Sequence, residues 1–264
     1  MNDQTLITTI DTNGVARLTM NRPDIRNAFN EQLIGEICDT MGRLNADANI
    51  RAIVLTGAGK AFSAGADLNM MQRASTASTA ENKDDARRLA HMLYSIYHSP
   101  KPTVALVNGP AMGGGIGLIA ACDVAIGADT SFFALSEVRV GLIPAVISPF
   151  VIQAITVRQA RRFFTTGERF DAATAERIGL LHKIVPVDAL NDELDNMLKE
   201  LLSCGPDAQG AAKDLIRKVA YRPLGDAVLE ETAGLIAKTR AGKEGKEGVA
   251  AYLEKRKPNW LKSE

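Results

Sequence analysis

Apolar and polar positions along this chain change period repeatedly, and the changes mark its elements. Residues 6–20 hold two strand-like runs around Asn13-Gly14, a dipeptide that favours a two-residue hairpin turn. Asn21-Arg22-Pro23 closes the second run, because proline has no N–H to donate to a ladder. Between residues 30 and 44, Leu33, Ile34, Ile37, Cys38, Met41 and Leu44 recur with helical period, and Asn30 stands where a cap belongs. The run at 51–55, apolar after Arg51, reads as a buried strand. Residues 70–80 are small and polar and read as a mobile connection, whereas 81–97 returns to helical spacing.

A second buried strand follows at 103–106, and 118–122 reads as the start of a buried helix. Short strands are expected at 123–126, 131–135 and 182–185, and helices at 148–164 and 171–178. From residue 188 onward the chain is amphipathic and helical. Two or three strand–strand–helix units followed by a helical tail predict an α/β fold, a right-handed spiral with parallel pairings.

Both buried strands run into glycine-rich stretches. One is Thr56-Gly57-Ala58-Gly59-Lys60-Ala61-Phe62-Ser63-Ala64-Gly65-Ala66-Asp67-Leu68, and the other runs from Asn108-Gly109 through Gly113-Gly114-Gly115 to Gly117. A strand, a glycine turn and a helix start leave backbone N–H groups unpaired and open to a ligand. The plainer alternative for each is a tight turn that packs a helix on a sheet. Two such loops together can offer two aligned donors, which a carbonyl becoming an enolate requires. Neither stretch is a P-loop, since Ala61 follows Gly59-Lys60. Neither is a dinucleotide fingerprint, since Phe62 and Leu118 stand where the third glycine belongs.

Glu137 adds a titratable group. It sits among Phe133, Leu135, Val138 and Leu142, where an unpaired carboxylate is costly. A carboxyl held there has a raised pKa and can carry protons, unless Arg139 or another cation pairs with it.

Composition narrows the classes. The 31 basic and 31 acidic residues cancel, which gives no electrostatic case for nucleic acid or an anionic membrane. No apolar run approaches membrane-spanning length and no signal-like segment opens the sequence, so a soluble, cytoplasmic protein is expected. Cys38, Cys122 and Cys204 are widely spaced and read as reduced core residues. His91, His98 and His182 have no metal-ligand spacing, and no metal is expected.

With both loops and Glu137 in view, the chain resembles the enoyl-CoA hydratase/isomerase (crotonase) superfamily over essentially its full length. The likeness rests on Asn21-Arg22-Pro23 with Asn27-Ala28, on Ala61 through Leu68, on Asn108 through Gly117, and on Glu254-Lys255-Arg256-Lys257-Pro258. The resemblance implies a spiral of ββα units over residues 1–200 and a helical oligomerisation region over 201–264. It implies trimers, often paired into hexamers, and an acyl-CoA substrate with no cofactor beyond the CoA of the substrate itself. By position, Ala66 and Gly114 would donate the oxyanion N–H groups and Glu137 would deliver a proton to the α-carbon. CoA and acyl group would lie along Arg26, Ala28, Ala64, Asp67, Leu68, Gly113 and Gly117, with Lys255, from a neighbouring subunit if not its own, near the phosphates.

One departure bears on the reaction. Members with two catalytic glutamates carry the first at the position of Gly117, so this chain has at most one of the pair. The stretch Ala134 through Pro149, with Gly115-Ile116-Gly117-Leu118, is similar to the bacterial branch acting on 3-substituted glutaconyl-CoAs, in leucine or acyclic-terpene breakdown. There the glycine is ordinary, and the resemblance implies that it leaves space for a branched C3 substituent or for a carboxylate-bearing substrate. Hydration of 3-methylglutaconyl-CoA or isohexenylglutaconyl-CoA is therefore the expected reaction. A Δ3,Δ2-enoyl-CoA isomerase fits a lone glutamate directly. The remaining alternative is a non-catalytic member that binds CoA thioesters or RNA. For RNA, the helix at 31–44 offers Glu31, Glu36 and Asp39, with Asp47 beyond its end, against Arg43 alone. A distal substrate carboxylate needs a cation, and Arg73, Lys83, Arg87, Arg88 and Arg139 read as solvated or structural charges rather than as that group.

Overall fold

The computed structural model describes residues 4–261. The hairpin signalled by Asn13-Gly14 is present: β1 (Leu6–Ile10) pairs antiparallel with β2 (Val15–Met20). Asn30 caps α1 (Glu31–Ala46) by accepting from Leu33 N at 2.9 Å. The chain then enters β3 (Ala52–Gly57), which lies parallel to β2.

Residues 70–80 are not the loop their composition suggests. Asp67 caps α2 (Leu68–Thr76), and Ser78 with Glu81 forms a reciprocal capping box at the start of α3 (Thr79–Tyr97). The two caps satisfy the amides that small polar residues otherwise leave exposed to water.

From α3 the chain passes to β4 (Thr103–Val107), then β5 (Ala111–Met112) and α4 (Gly114–Ala121). The helix thus begins at the glycines, before the apolar run at 118–122. Next come β6 (Val124–Ala128), β7 (Phe132–Ala134) and α5 (Ser148–Thr166), the last broken at Thr156, whose φ of 70° is not helical. β8 (Arg169–Asp171), α6 (Ala172–Arg177), β9 (Lys183–Val185) and α7 (Leu190–Ser203) complete the core. The boundary expected at 200/201 falls inside α7, and the tail proper is α8 (Pro206–Val219), α9 (Asp226–Ala241) and α10 (Lys243–Leu253).

The strands form two sheets. A six-stranded sheet has the order β1-β2-β3-β4-β6-β9, parallel from β2 onward, and a three-stranded sheet has the order β5-β7-β8. Successive turns of the spiral give one strand to each, β4 then β5 and β6 then β7. Period two divides β3 cleanly: Ile53 and Leu55 join the core cluster that includes α1, α3 and α4, while Ala52 and Val54 join the cluster closed by Leu190 and Leu194 of α7. A parallel sheet covered on both faces leaves its strand ends as the place for a site, and both glycine stretches leave from C-terminal ends.

One detail differs from the sequence reading. Cys204 is exposed rather than part of the core. His182 accepts Ala125 N through Nδ1 at 3.1 Å and so serves the sheet. Among the described residues no helix is long and apolar enough to cross a membrane.

Candidate active site

The loops after β3 and β4 are zipped to each other. Phe62 N donates to Pro110 O at 3.1 Å and Met112 N to Ser63 O at 2.9 Å, and Ser63 bridges Ala111 in parallel register. A second seam joins the first loop to the segment before α1. There Phe29 N donates to Gly65 O at 2.7 Å and Asp67 N to Phe29 O at 2.9 Å. In a parallel bridge of this kind the residue between the two bonds, Ala66, turns its own N–H to the opposite side.

That amide faces the second loop. Gly65 adopts φ +83°, and a Cβ built on it would lie 2.8 Å from Met112 O and 3.3 Å from Gly114 N. A side chain there is excluded both by the left-handed backbone and by the contact. Gly114 opens α4, so its N–H has no intrahelical acceptor. No acceptor among the described residues takes the N–H of Ala66 or of Gly114. Ala66 is exposed and Gly114 half-buried. Two adjacent free amides, one at a helix N-terminus, make a preorganised seat for negative charge.

Glu137 lies beside this seat, in the 3-10 turn Ser136–Val140. Gly113 has φ +48°, and a Cβ on it would stand 3.0 Å from Glu137 Oε1. Glu137 Oε2 is buried and has no hydrogen-bond partner among the described residues. The sequence left open a pairing with Arg139, and the structure closes it: Arg139 Nε donates to Gly167 O at 2.9 Å. Burial pushes the Glu137 carboxyl above the ordinary carboxylate range, and a hydrogen bond from its own backbone only partly opposes this. A carboxyl whose charged form is disfavoured in this way is suited to accept and return a proton.

The other expected site residues fall into groups. Arg26, Ala28, Ala64 and Leu68 follow the rim of the seam, with Ala64 N donating to Arg26 O at 2.8 Å. Leu68 is 80% exposed and Ala28 buried.

Asp67 is a correction. Its Oδ1 caps α2 through Asn69 N at 2.8 Å and its Oδ2 pairs with Arg22 at 2.8 Å, so both carboxylate oxygens hold the loop rather than face a substrate.

Gly117 is a second correction. A Cβ there would meet Ile147 Cγ2 at 2.4 Å, so the room expected for a branched substituent is already filled.

Lys255 belongs to the tail, which is anchored at the other end of the strands. Trp260 O accepts Arg51, just before β3, and Arg256 pairs with Glu247. Within one chain the structure does not bring Lys255 to the loops.

Of the basic residues near α2 and α3, Arg73 pairs with Glu31, Arg87 with Asp84 and Arg88 with Asp85.

The sequence reading missed the residues that set this geometry. Asn27 is fully buried at φ 54°. Its Nδ2 donates to Ala58 O and Ala61 O at 2.9 and 2.8 Å, and its Oδ1 accepts from Arg22 N at 2.9 Å. Ser63 Oγ donates to Asn27 O and accepts from Gly65 N. Asparagine tolerates the left-handed region, which is the signal that singles out position 27.

Known proteins are similar to this chain in sequence and fold. The model of the family described as enoyl-CoA hydratase/isomerase matches residues 11–263, and the chain belongs to that family. It is 33% identical over 251 residues to enoyl-CoA hydratase AKT6-1 of Alternaria alternata, covering 92% of this chain and 80% of that protein. Its structure is similar to that of an enoyl-CoA hydratase from Shewanella pealeana, with TM-score 0.95, 38% identity and coverage of 98% and 97% of the two chains. It is also similar to Pseudomonas aeruginosa AtuE, with TM-score 0.93, 38% identity and coverage of 98% and 100%. The spiral with its helical C-terminal region is thus the crotonase-like α/β fold, and the protein is an enzyme of the hydratase-type lyase class.

Proposed function

We propose that this enzyme adds water across the conjugated double bond of a 3-substituted glutaconyl-CoA, either 3-methylglutaconyl-CoA or isohexenylglutaconyl-CoA. The observation that carries the reading is Glu137 Oε2, buried and without a partner among the described residues, set against two adjacent free amides.

The thioester carbonyl accepts from Ala66 N and Gly114 N. As water oxygen bonds to C3, the C2–C3 π pair moves toward the thioester and the charge collects on its oxygen, where the two N–H groups stabilise it. Glu137 takes the proton that the water loses and returns a proton to C2 as the enolate collapses, so a single carboxyl serves both halves of the addition. The C3 substituent rests against the apolar side chain of Ile147. CoA runs along Arg26, Ala28, Ala64 and Leu68, and Lys255 reaches its phosphates from a neighbouring subunit of a homotrimer or of a pair of trimers. No cofactor beyond the substrate's CoA is used, and the site works in the cytoplasm.

A second reading has one specific observation in its favour. A lone carboxyl is sufficient for a Δ3,Δ2-enoyl-CoA isomerase, which moves a proton between carbons without consuming water. Incubation with 3-methylglutaconyl-CoA in oxygen-18 water, read by mass spectrometry, separates the two. A product thioester carrying one labelled oxygen supports hydration. Unlabelled product, with conversion of a 3-enoyl-CoA to its conjugated isomer, assigns the isomerase.

A further inference from the structure

An apolar side chain, Ile147, packs on α4 one turn beyond the glycine that lies beside Glu137. Gly113 and Gly117 are one helical turn apart at the start of α4, with Gly117 N donating to Gly113 O at 3.3 Å. Gly113 is the non-helical N-cap, with φ 48° and ψ −115°. Its nearest neighbour is the Glu137 carboxyl, and one turn further on the neighbour of Gly117 is Ile147. A Cβ on Gly117 would lie 2.4 Å from Ile147 Cγ2, 2.9 Å from Ile147 Cβ and 3.5 Å from Leu93 Cδ1. Ile147 is only 3% exposed and Leu93 fully buried, so neither has free space to retreat into. No side chain at 117 enters this volume unless Ile147 first gives it up.

We infer that Ile147 is a specificity-determining residue, the apolar wall that limits the size of the group an acyl-CoA carries at its β-carbon. This rests on the reading of Glu137 and the two amides as the reacting centre. An acyl group whose carbonyl sits on those amides and whose α- and β-carbons face Glu137 meets Ile147 as the next surface along α4. Gly117 is then not an opening. Its lack of a side chain makes room for the wall, which presents methyl groups where a carboxylate would otherwise project and keeps the centre to one titratable group.

The test uses the full-length enzyme and saturated thioesters that bind without reacting: butanoyl-CoA, 3-methylbutanoyl-CoA and 3-ethylpentanoyl-CoA. Dissociation constants are measured by calorimetry for wild type, Ile147→Ala and Ile147→Ala/Gly117→Ala. With the wall removed, 3-ethylpentanoyl-CoA is expected to gain about tenfold in affinity relative to butanoyl-CoA, the scale on which hydrophobic pockets discriminate by a methylene or two. The added methyl at 117 is expected to take back part of that gain. Unchanged relative affinities in an Ile147→Ala protein with a cooperative melt would overturn the inference. Should Ile147→Ala not fold, Ile147→Val is expected to shift preference the same way by a smaller factor, and no shift there overturns it equally. The two readings fail separately. A preference shift without labelled-water incorporation removes the hydratase and keeps the wall, and the converse removes the wall alone.

Discussion

The two ends of the same parallel strands handle polar groups in opposite ways. At the N-terminal end, Lys213 of α8 reaches Asp123 Oδ2 at 2.6 Å and Lys101 O at 2.8 Å. The same Asp123 oxygen accepts Thr103 N and Thr103 Oγ1, each at 2.8 Å. Arg51 donates there through both Nη atoms to carbonyls of Leu202, Cys204 and Trp260 and so ties the tail to β3, its Nε alone lacking a partner among the described residues. At the C-terminal end, Ala66 N, Gly114 N and Glu137 Oε2 have no partner among the described residues. Satisfied groups stabilise a fold, whereas unsatisfied groups held rigidly remain available to a ligand. One end fastens the helical tail to the sheet, and the other keeps its bonding capacity for a substrate.

The largest expected effect tests that division at the reactive end. Glu137→Gln keeps the shape and removes the proton carrier, so turnover is expected to fall by about a hundred- to ten-thousand-fold. Its thermal midpoint at neutral pH is expected to stay level or rise, since Oε2 has no partner among the described residues to lose. Steady-state rates and melts on one preparation check both, and a large loss of stability would show that the group is structural after all.

At the opposite end the signs reverse. Lys213→Met leaves Asp123 without its cation, and breaking a buried pair in this way costs about 3 kcal/mol. That is the low end of the usual range, because Asp123 keeps 32% of its side chain exposed. Urea unfolding is expected to show the loss, while turnover per folded molecule is unchanged. A matching loss of turnover would mean that the two ends are not independent.

Asn27 lies between these extremes and sharpens the comparison. It belongs to the reactive end, yet its hydrogen bonds are fully spent on holding Ala58, Ala61 and Arg22. Asn27→Ala orphans buried partners and is expected to cost about 1–3 kcal/mol. Unlike Lys213→Met it should also lower turnover, because the loop it braces carries Ala66. Unfolding and kinetics measured together would show stability and rate falling in step.

Much of this molecule was legible from local pattern. The hairpin, the Asn30 cap, the period of α1 and the glycine loops are each written within a few neighbouring residues. The start of α3 was written too, in Ser78 and Glu81, but the small residues around it resembled a connection. What could not be read locally are the contacts between distant segments. β5 and β8 are too short to show a period, and Thr156 interrupts α5 without a proline or glycine to announce it. Gly117 looked like vacant space because Ile147, which fills it, arrives from the far side of two strands. Asp67 looked like a pocket residue because its partner Arg22 belongs to another segment.

The smallest expected effect is a slope against pH, and it tests the unpartnered state of Glu137 directly. Burial raises this carboxyl in the folded protein above its value in the unfolded chain. The native state therefore holds the proton more tightly than the unfolded state does. Any stability gained from that difference is present below the ordinary carboxylate pKa and is lost as pH rises through the raised folded value. Relative to Glu137→Gln, which cannot titrate, wild type is expected to become steadily less stable as pH rises from the ordinary carboxylate value, about 4.3, through the raised folded value. Paired denaturant titrations across that interval measure the difference, with other groups common to both proteins. A wild type that instead gains on the variant as pH rises would mean that the ionised carboxylate is stabilised by a cation. The free carboxyl at the reactive end would then be paired like the charges at the other, and the contrast between the two ends would collapse.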